Sequence, residues 1–416
     1  MILYAAKHLL PVSSPPIQSG AVVAHEGRIV AVGRRRDLLK AHADAEVRDL
    51  GDAVLIPGLV NAHTHIELSW MNGEPPAGGS YMTWLEDLIA RRGSIEEATA
   101  RAAASSAIES MLARGTVAIG DVANQSWAAP LLASSRLAGT VFLEIFGFKS
   151  GDAESILDAA AGRLEAIDAT PEMKAAKGRI SAILTPHAAQ TTSAPLLKAL
   201  GGRAAAAGEA LSIHVAESIE ESQLLRDGTG PFRDLLIRRG AWDDAWKAPG
   251  LTPVEYLDRL GVLSPRTLAV HCVHLDHHDL TRLQARGVTV VTCPRSNQRL
   301  GVGKAPIPKL LASGIPVALG TDSLASSPDV DVFNEVAVLR QEHPGLAPAA
   351  ALRIATLNGA RALGLAKDLG TIEPGKSAAL AVVGLPDPND DPLEAVTWTS
   401  EQVFALDGAP FETVAR

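Results

Sequence analysis

Residues 63–65 read His-Thr-His, and three later stretches carry side chains of the same kind. SIHVAES holds His214 and Glu217, LAVHCVH holds His271 and His274, and VALGTDS holds Asp322. Imidazole nitrogens with one carboxylate form a donor set for zinc or iron. An ion held that way lowers the pKa of water to about 7 and makes it a usable nucleophile. Each fragment alone is ordinary: His-x-His decorates many strands, and an Asp after a strand is commonly a helix cap. Their force lies in convergence, because one ion needs all of them in one small volume.

The surrounding elements supply that volume. Eight apolar runs, from AVLIPGLVNAHTH through GTVAIGDV, GTVFLEIFG, RISAILTPHA, ALSIHVAES, TLAVHCVHLD and VTVVTC to IPVALGTDS, alternate with stretches of helix-forming composition. Alternating strands and helices predict parallel β-α units. Eight of them predict an α/β fold, a (β/α)8 TIM barrel over residues 57–365, with chemistry at the C-terminal ends of the strands. Alternation along the first strand puts His63 and His65 on the same side, into the mouth. Short β-type runs at both termini, such as HEGRIVAVG and SAALAVVG, predict a small β-sandwich domain from residues 1–56 and 366–416.

Composition narrows the partners. A net charge of −9 argues against nucleic acid held by its backbone, and no apolar run reaches the roughly 18 residues of a membrane span. With only Cys272 and Cys293 in 416 residues and no leader-like N-terminus, a reducing, cytoplasmic setting is expected. GTIEPGKS at residues 370–377 fits a phosphate-binding loop in letters only. A helix-like NGARALGLAKDL precedes it and a strand-like SAALAVVG follows, the reverse of the order that binding at a helix N-terminus requires. We expect a turn there.

PGLVNAHTHIELS, HVAES, HCVHLD, ALGTDS and GTIEPGKSAALAVV together resemble the amidohydrolase superfamily over nearly the whole chain. The resemblance implies His63, His65, His214 and Asp322 as ligands of one divalent metal, zinc first and iron second. The fourth strand ends in His187 with no lysine, which favours a single metal. His214, Glu217 and His271 together resemble the branch that deaminates or dechlorinates aromatic rings. In that branch Asp322 would take a proton from the attacking water, His271 would orient the water, and Glu217 would protonate the ring nitrogen. His187 resembles a histidine that contacts substrate. The H-x-E and P-C-x-x-C pattern of the other zinc deaminases is half missing, since no Pro-Cys pair occurs.

HTHIELS is similar to the wording found in aminodeoxyfutalosine deaminases of a menaquinone pathway. This makes a 6-aminopurine nucleoside the expected substrate, with S-adenosylhomocysteine, adenosine, guanine, or a chlorohydrolase or amidase reaction as alternatives. Trp70 and Trp84 flank a Gly- and Pro-rich loop that could cover a flat ring. Arg91, Arg92, Arg295 and Arg299 are candidate partners for a carboxylated substrate, Glu67 is a candidate support of the pocket, and a homodimer is expected by analogy.

Overall fold

Valine- and alanine-rich runs at the N-terminus pair with their chain neighbours. Strands β1 (Ile2–Leu9), β2 (Ile17–His25) and β3 (Arg28–Arg34) are antiparallel in that order. The turn between β2 and β3 puts both Glu26 and Gly27 at positive φ, 48° and 70°, as a two-residue hairpin turn of this hand requires. The computed structural model describes residues 1–71, 80–385, 387, 389–398 and the backbone of 403–405. Parts of the expected loop after the first barrel strand (72–79) and of the C-terminal segment therefore lie outside the described residues.

The apolar run beginning at Ala53 is two strands rather than one. β4 (Glu46–Asp49) and β5 (Ala53–Pro57) pair with β1, whereas β6 (Leu59–Thr64) starts afresh beyond Gly58. A Cβ at Gly58 would stand 2.3 Å from the Val117 side chain and 3.0 Å from the Ala379 carbonyl, so only glycine passes the chain between the two layers here.

β7 (Thr116–Ala123), β8 (Ala138–Ile145) and β9 (Ile180–Pro186) continue from β6 as a parallel four-stranded sheet. β10 (Leu211–Val215), β11 (Thr267–His271), β12 (Thr289–Thr292) and β13 (Val317–Leu319) form a second one. Helices lie between most successive strands. The eight strands do not form one continuous ladder. The sheets meet at single bridges, Thr64 with Asp322 along one seam and Ala188 with His214 along the other. Both bridges involve strand-end residues singled out by their chemistry, so the regular pairing stops where the site begins.

β14 (Leu380–Gly384) returns antiparallel to β5, and β15 (Val403–Ala405) pairs with β14. The termini thus make one seven-stranded sheet instead of the expected sandwich. The alternation explains the difference. Tyr4, Ala6, Val22 and Leu380 are buried on one face, while Leu3, Ala5 and Val23 are buried on the other with Leu38 and Leu39 of helix Arg35–Ala41. That helix takes the place of a second sheet.

The GTIEPGKS segment is a turn. The Lys376 ammonium donates to the carbonyls of Ala366 at 2.6 Å and Leu369 at 3.3 Å, and Ser377 bridges to Arg28. Its cation is spent closing the turns that follow helix Gly359–Ala362.

A tight seam carries a testable consequence. A Cβ at Gly320 would lie 2.6 Å from the His63 carbonyl oxygen and 2.7 Å from the His63 Cβ. Gly320→Ala is expected to cost about 1–3 kcal/mol through overpacking and to loosen metal retention by displacing His63. Urea unfolding and metal analysis of the purified variant check both parts, and unchanged values in both would contradict the seam argument.

Candidate active site

Strand ends deliver the polar groups. His63 and His65, two positions apart at and just beyond the end of β6, both face inward and are 0% and 8% exposed. Their rings meet edge-on with centroids 4.9 Å apart. His214 from β10 brings its ring to 5.0 Å from His63. Asp322, just beyond β13, places Oδ1 3.9 Å from His63 Nε2 and 3.7 Å from His65 Nε2. Donor atoms of His63, His65 and Asp322 lie within 4.8 Å of one another, and so do those of His63, His214 and His271.

Each ligand candidate is set from behind. Asp322 Oδ2 accepts hydrogen bonds from Ser296 Oγ at 2.6 Å and Ser326 Oγ at 2.8 Å, while Oδ1 accepts the Ser323 N–H. Burial alone would raise this carboxyl, but His65, His271 and the two serine hydroxyls hold it below the ordinary carboxylate range. His214 Nδ1 lies 3.0 Å from the His187 carbonyl, which turns Nε2 toward the cluster. Burial pushes His65 down to about 3 and His63 well below its ordinary range. Both imidazoles are therefore neutral, with lone pairs available.

The residues fit a divalent cation on an observation of their own. His63 is wholly buried, and neither of its ring nitrogens has a hydrogen-bond partner among the described residues. A buried polar atom left unpaired costs about 1–3 kcal/mol, and a cation among these donors removes that cost.

Strain marks the same place. Ala216, His271, Cys272 and Asp322 have φ of 51°, 70°, 50° and 57°. Non-glycine residues in this left-handed region are costly and concentrate at functional sites. Here they turn the chain sharply at the ends of β10, β11 and β13.

Beside the cluster stands an acid. Glu217, 6% exposed, accepts a hydrogen bond from the Tyr81 hydroxyl at 2.8 Å through Oε2 and holds Oε1 3.6 Å from His271 Nε2. The Glu217 backbone N–H donates to Glu221 Oε2 at 3.0 Å. His271 Nδ1 meets Asn297 Oδ1 at 2.9 Å, so Asn297 orients the ring.

The amidohydrolase profile matches residues 54–409, most of the chain. The chain belongs to the amidohydrolase family. Relatives of this amidohydrolase include the 5-methylthioadenosine/S-adenosylhomocysteine deaminase of Moorella thermoacetica, 33% identical over 98% of this chain and 90% of that protein. The aminodeoxyfutalosine deaminase of Deinococcus radiodurans is 34% identical over 83% of this chain and 82% of its own length. Among solved structures, an adenosine deaminase from Xanthomonas campestris with bound zinc aligns at TM-score 0.80 and 27% identity, covering 97% of this chain and 90% of that one. The Helicobacter pylori aminofutalosine deaminase shares the fold at TM-score 0.84, 23% identity and 97% coverage of both chains. The protein is a hydrolase acting on C–N bonds.

The amidohydrolase opens a cavity of about 680 Å³ over the cluster. Its floor is polar, with His65, His187, His214, Glu217, His271 and Asp322. Its walls are apolar, formed by helix Tyr81–Arg92 with Trp84, Leu85 and Leu88, and by helix Pro231–Arg238 with Phe232, Leu235 and Leu236. Ser80 caps the first of these helices by accepting the Thr83 N–H, which sets the start of the segment carrying Tyr81.

His187 lies in the cavity with its ring stacked on Phe146, centroids 4.3 Å apart. His274, by contrast, is not among the cavity's lining residues. Trp84 lines the cavity and donates Nε1–H to the Ala325 carbonyl, but Trp70 packs outside it under the Arg91 guanidinium.

Of the four arginines considered from sequence, only Arg92 reaches the cavity, and Glu67 already pairs with it. Arg295 is taken by Asp329. Glu67 also accepts the N–H groups of Asn124 and Gln125, both at 2.8 Å, and so supports the pocket from below. Three titratable lining residues escaped the sequence reading: Tyr81, Glu144 and Arg239. Tyr81 sits within a helix-forming stretch whose spacing carries no chemical signal. Arg239 follows helix Pro231–Arg238 at the cavity rim, with no acidic partner among the described residues.

Proposed function

We propose that the protein hydrolytically deaminates the adenine ring of a nucleoside, with aminodeoxyfutalosine as the preferred substrate and zinc as the resident metal. The carrying observation is the pairing of a buried acid, Glu217, with His271 beside a cluster of buried imidazoles and Asp322. Relatives named as deaminases of adenine nucleosides support the same reading.

His63, His65, His214 and Asp322 would hold the cation, which when bound lowers the pKa of water toward 7. Asp322 accepts the proton of the attacking water on Oδ1, while two serine hydroxyls keep Oδ2 fixed. His271, anchored by Asn297, directs the water at the ring carbon that bears the amino group. Attack moves charge onto the adjacent ring nitrogen, and Glu217 delivers a proton there; the proton held by Asp322 then passes to the exocyclic amino group, the C–N bond breaks and ammonia departs. Tyr81 keeps the Glu217 carboxyl aimed. The apolar helices exclude bulk water from the ring. In this division of labour residues 57–365 form the catalytic barrel, and residues 1–56 with 366–416 form the supporting β domain.

Ammonia release from metal-analysed protein tests the reading, with aminodeoxyfutalosine, methylthioadenosine, S-adenosylhomocysteine, 5′-deoxyadenosine, adenosine and guanine offered in parallel. The expected order puts the carboxylated, apolar-tailed substrate first. Cleavage of amides or aryl chlorides with no ammonia from any purine would overturn it.

A narrower expectation concerns Arg239, the rim cation without an acidic partner. Arg239→Ala should raise KM for aminodeoxyfutalosine about tenfold, the worth of one charge-assisted hydrogen bond, and leave methylthioadenosine unchanged. Equal KM changes for both would assign Arg239 to the surface alone.

A further inference from the structure

A second cavity lies at the end of the strands away from the catalytic groups. Thr140 near the start of β8 and Ser181 at the start of β9 line it, with Arg266 just ahead of β11. β9 has seven residues, which at about 3.3 Å each set its two ends about 20 Å apart. The cavity measures about 630 Å³, inside the range of about 300–1,000 Å³ typical of small-molecule sites.

Four cations converge on it from separate places in the chain. Lys174 lies in helix Pro171–Ala175, Lys177 in the turn beyond, Arg266 before β11, and Arg361 in helix Gly359–Ala362. None of their charged ends has an ion-pair or hydrogen-bond partner among the described residues. Neighbouring Arg179 shows the contrast, because its guanidinium donates to the carbonyls of Leu137 and Ala133, both at 2.5 Å. Asp168 and Glu209 line the cavity too, so the formal balance is four positive against two negative, +2, in a chain whose total is −9. Gathered like charges repel one another, and a cleft with a surplus of one sign focuses its field on an entering counter-ion.

The remaining lining suits an oxyanion with an organic body. Thr140, 7% exposed, holds Oγ1 3.2 Å from Ser181 Oγ. Ser181 is the one exposed position in an otherwise buried strand. One hydroxyl of such a pair donates to the other, which leaves the second hydrogen for a ligand. Met173, Ile180 and Leu363 add apolar surface.

We propose that this cavity binds a small phosphate monoester. Lys174, Lys177, Arg266 and Arg361 are the partners of its phosphate, the Thr140–Ser181 pair donates a hydrogen bond to it, and the apolar side chains take its organic part. A dianion matches the surplus of two charges. Arginine offers paired donors to phosphate oxygens, and lysine a compact charge. The site stands independently of the reaction carried out at the other end of the strands.

Isothermal titration calorimetry on the full-length, metal-loaded protein tests it. The probes are ribose 5-phosphate, uridine 5′-monophosphate, inorganic phosphate and unphosphorylated ribose. An ester is expected to bind once per chain, inorganic phosphate about tenfold more weakly for want of apolar contact, and ribose not at all. The double variants Lys174→Gln/Lys177→Gln and Arg266→Gln/Arg361→Gln should each weaken the ester about 100-fold, near tenfold for each charge-assisted hydrogen bond removed. All four positions are exposed, so metal content and thermal unfolding without ligand should stay unchanged. Failure of both esters to bind at about 10 mM would overturn the proposal. So would equal binding by the unmodified protein and both variants, which would put the phosphate elsewhere on the molecule. Inorganic phosphate binding as tightly as the esters would remove the role given to Met173, Ile180 and Leu363.

Discussion

Asp322→Asn is expected to lower kcat/KM by about 10⁴-fold, the upper end of what a positioned proton acceptor contributes. The substitution is nearly isosteric, and its amide can keep one contact to the serine pair. What disappears is the negative charge. Oδ1 lies within 4 Å of Nε2 on both His63 and His65, so the charge that would balance a cation and the base that would take water's proton are one atom. Metal content after gel filtration and kcat/KM at saturating added zinc separate the two losses. Zinc should restore occupancy but not rate. A variant that turns over normally once reloaded would remove Asp322 from proton transfer.

Glu217→Gln should cut kcat about 10²- to 10⁴-fold and leave KM within a few-fold, since its proton is needed on the way to the transition state. The glutamine can still meet the Tyr81 hydroxyl, and metal content should not change. The variant also discriminates between reactions. Amide hydrolysis puts charge on oxygen, which a metal stabilises directly, so an amidase would lose little. Unchanged ammonia release from Glu217→Gln would falsify the assignment of the acid.

The metal-binding candidates were legible because each lies in a short motif at the end of an apolar run: His63 and His65 after LVNA, His214 in SIHV, Asp322 after VALGT. Strand-end placement is local information, and the meeting of the two four-stranded sheets does the converging. Tyr81 was not legible. It meets Glu217 across 136 residues, and nothing in SYMTWLED announces that contact. Glu144 was missed for a similar reason: it ends an apolar strand and gains meaning only from Asn124, His187 and His214. The break at Gly58 was hidden inside an unbroken apolar run, since its cause is the crowding of Val117 and Ala379 from distant segments. The terminal strands were recognised, but not the helix that covers their sheet.

The cavity is made by two kinds of segment. Strand ends make its floor, whereas helices Tyr81–Arg92 and Pro231–Arg238 make its walls. Apart from Tyr81, no wall side chain touches the polar cluster through a hydrogen bond described above. Exchanging Leu85, Leu88, Leu235 or Leu236 for bulkier or smaller residues should therefore redirect the enzyme among tails of different shape at constant chemistry. Selectivity in this architecture can drift by a handful of leucine changes while the hydrolytic engine is inherited intact.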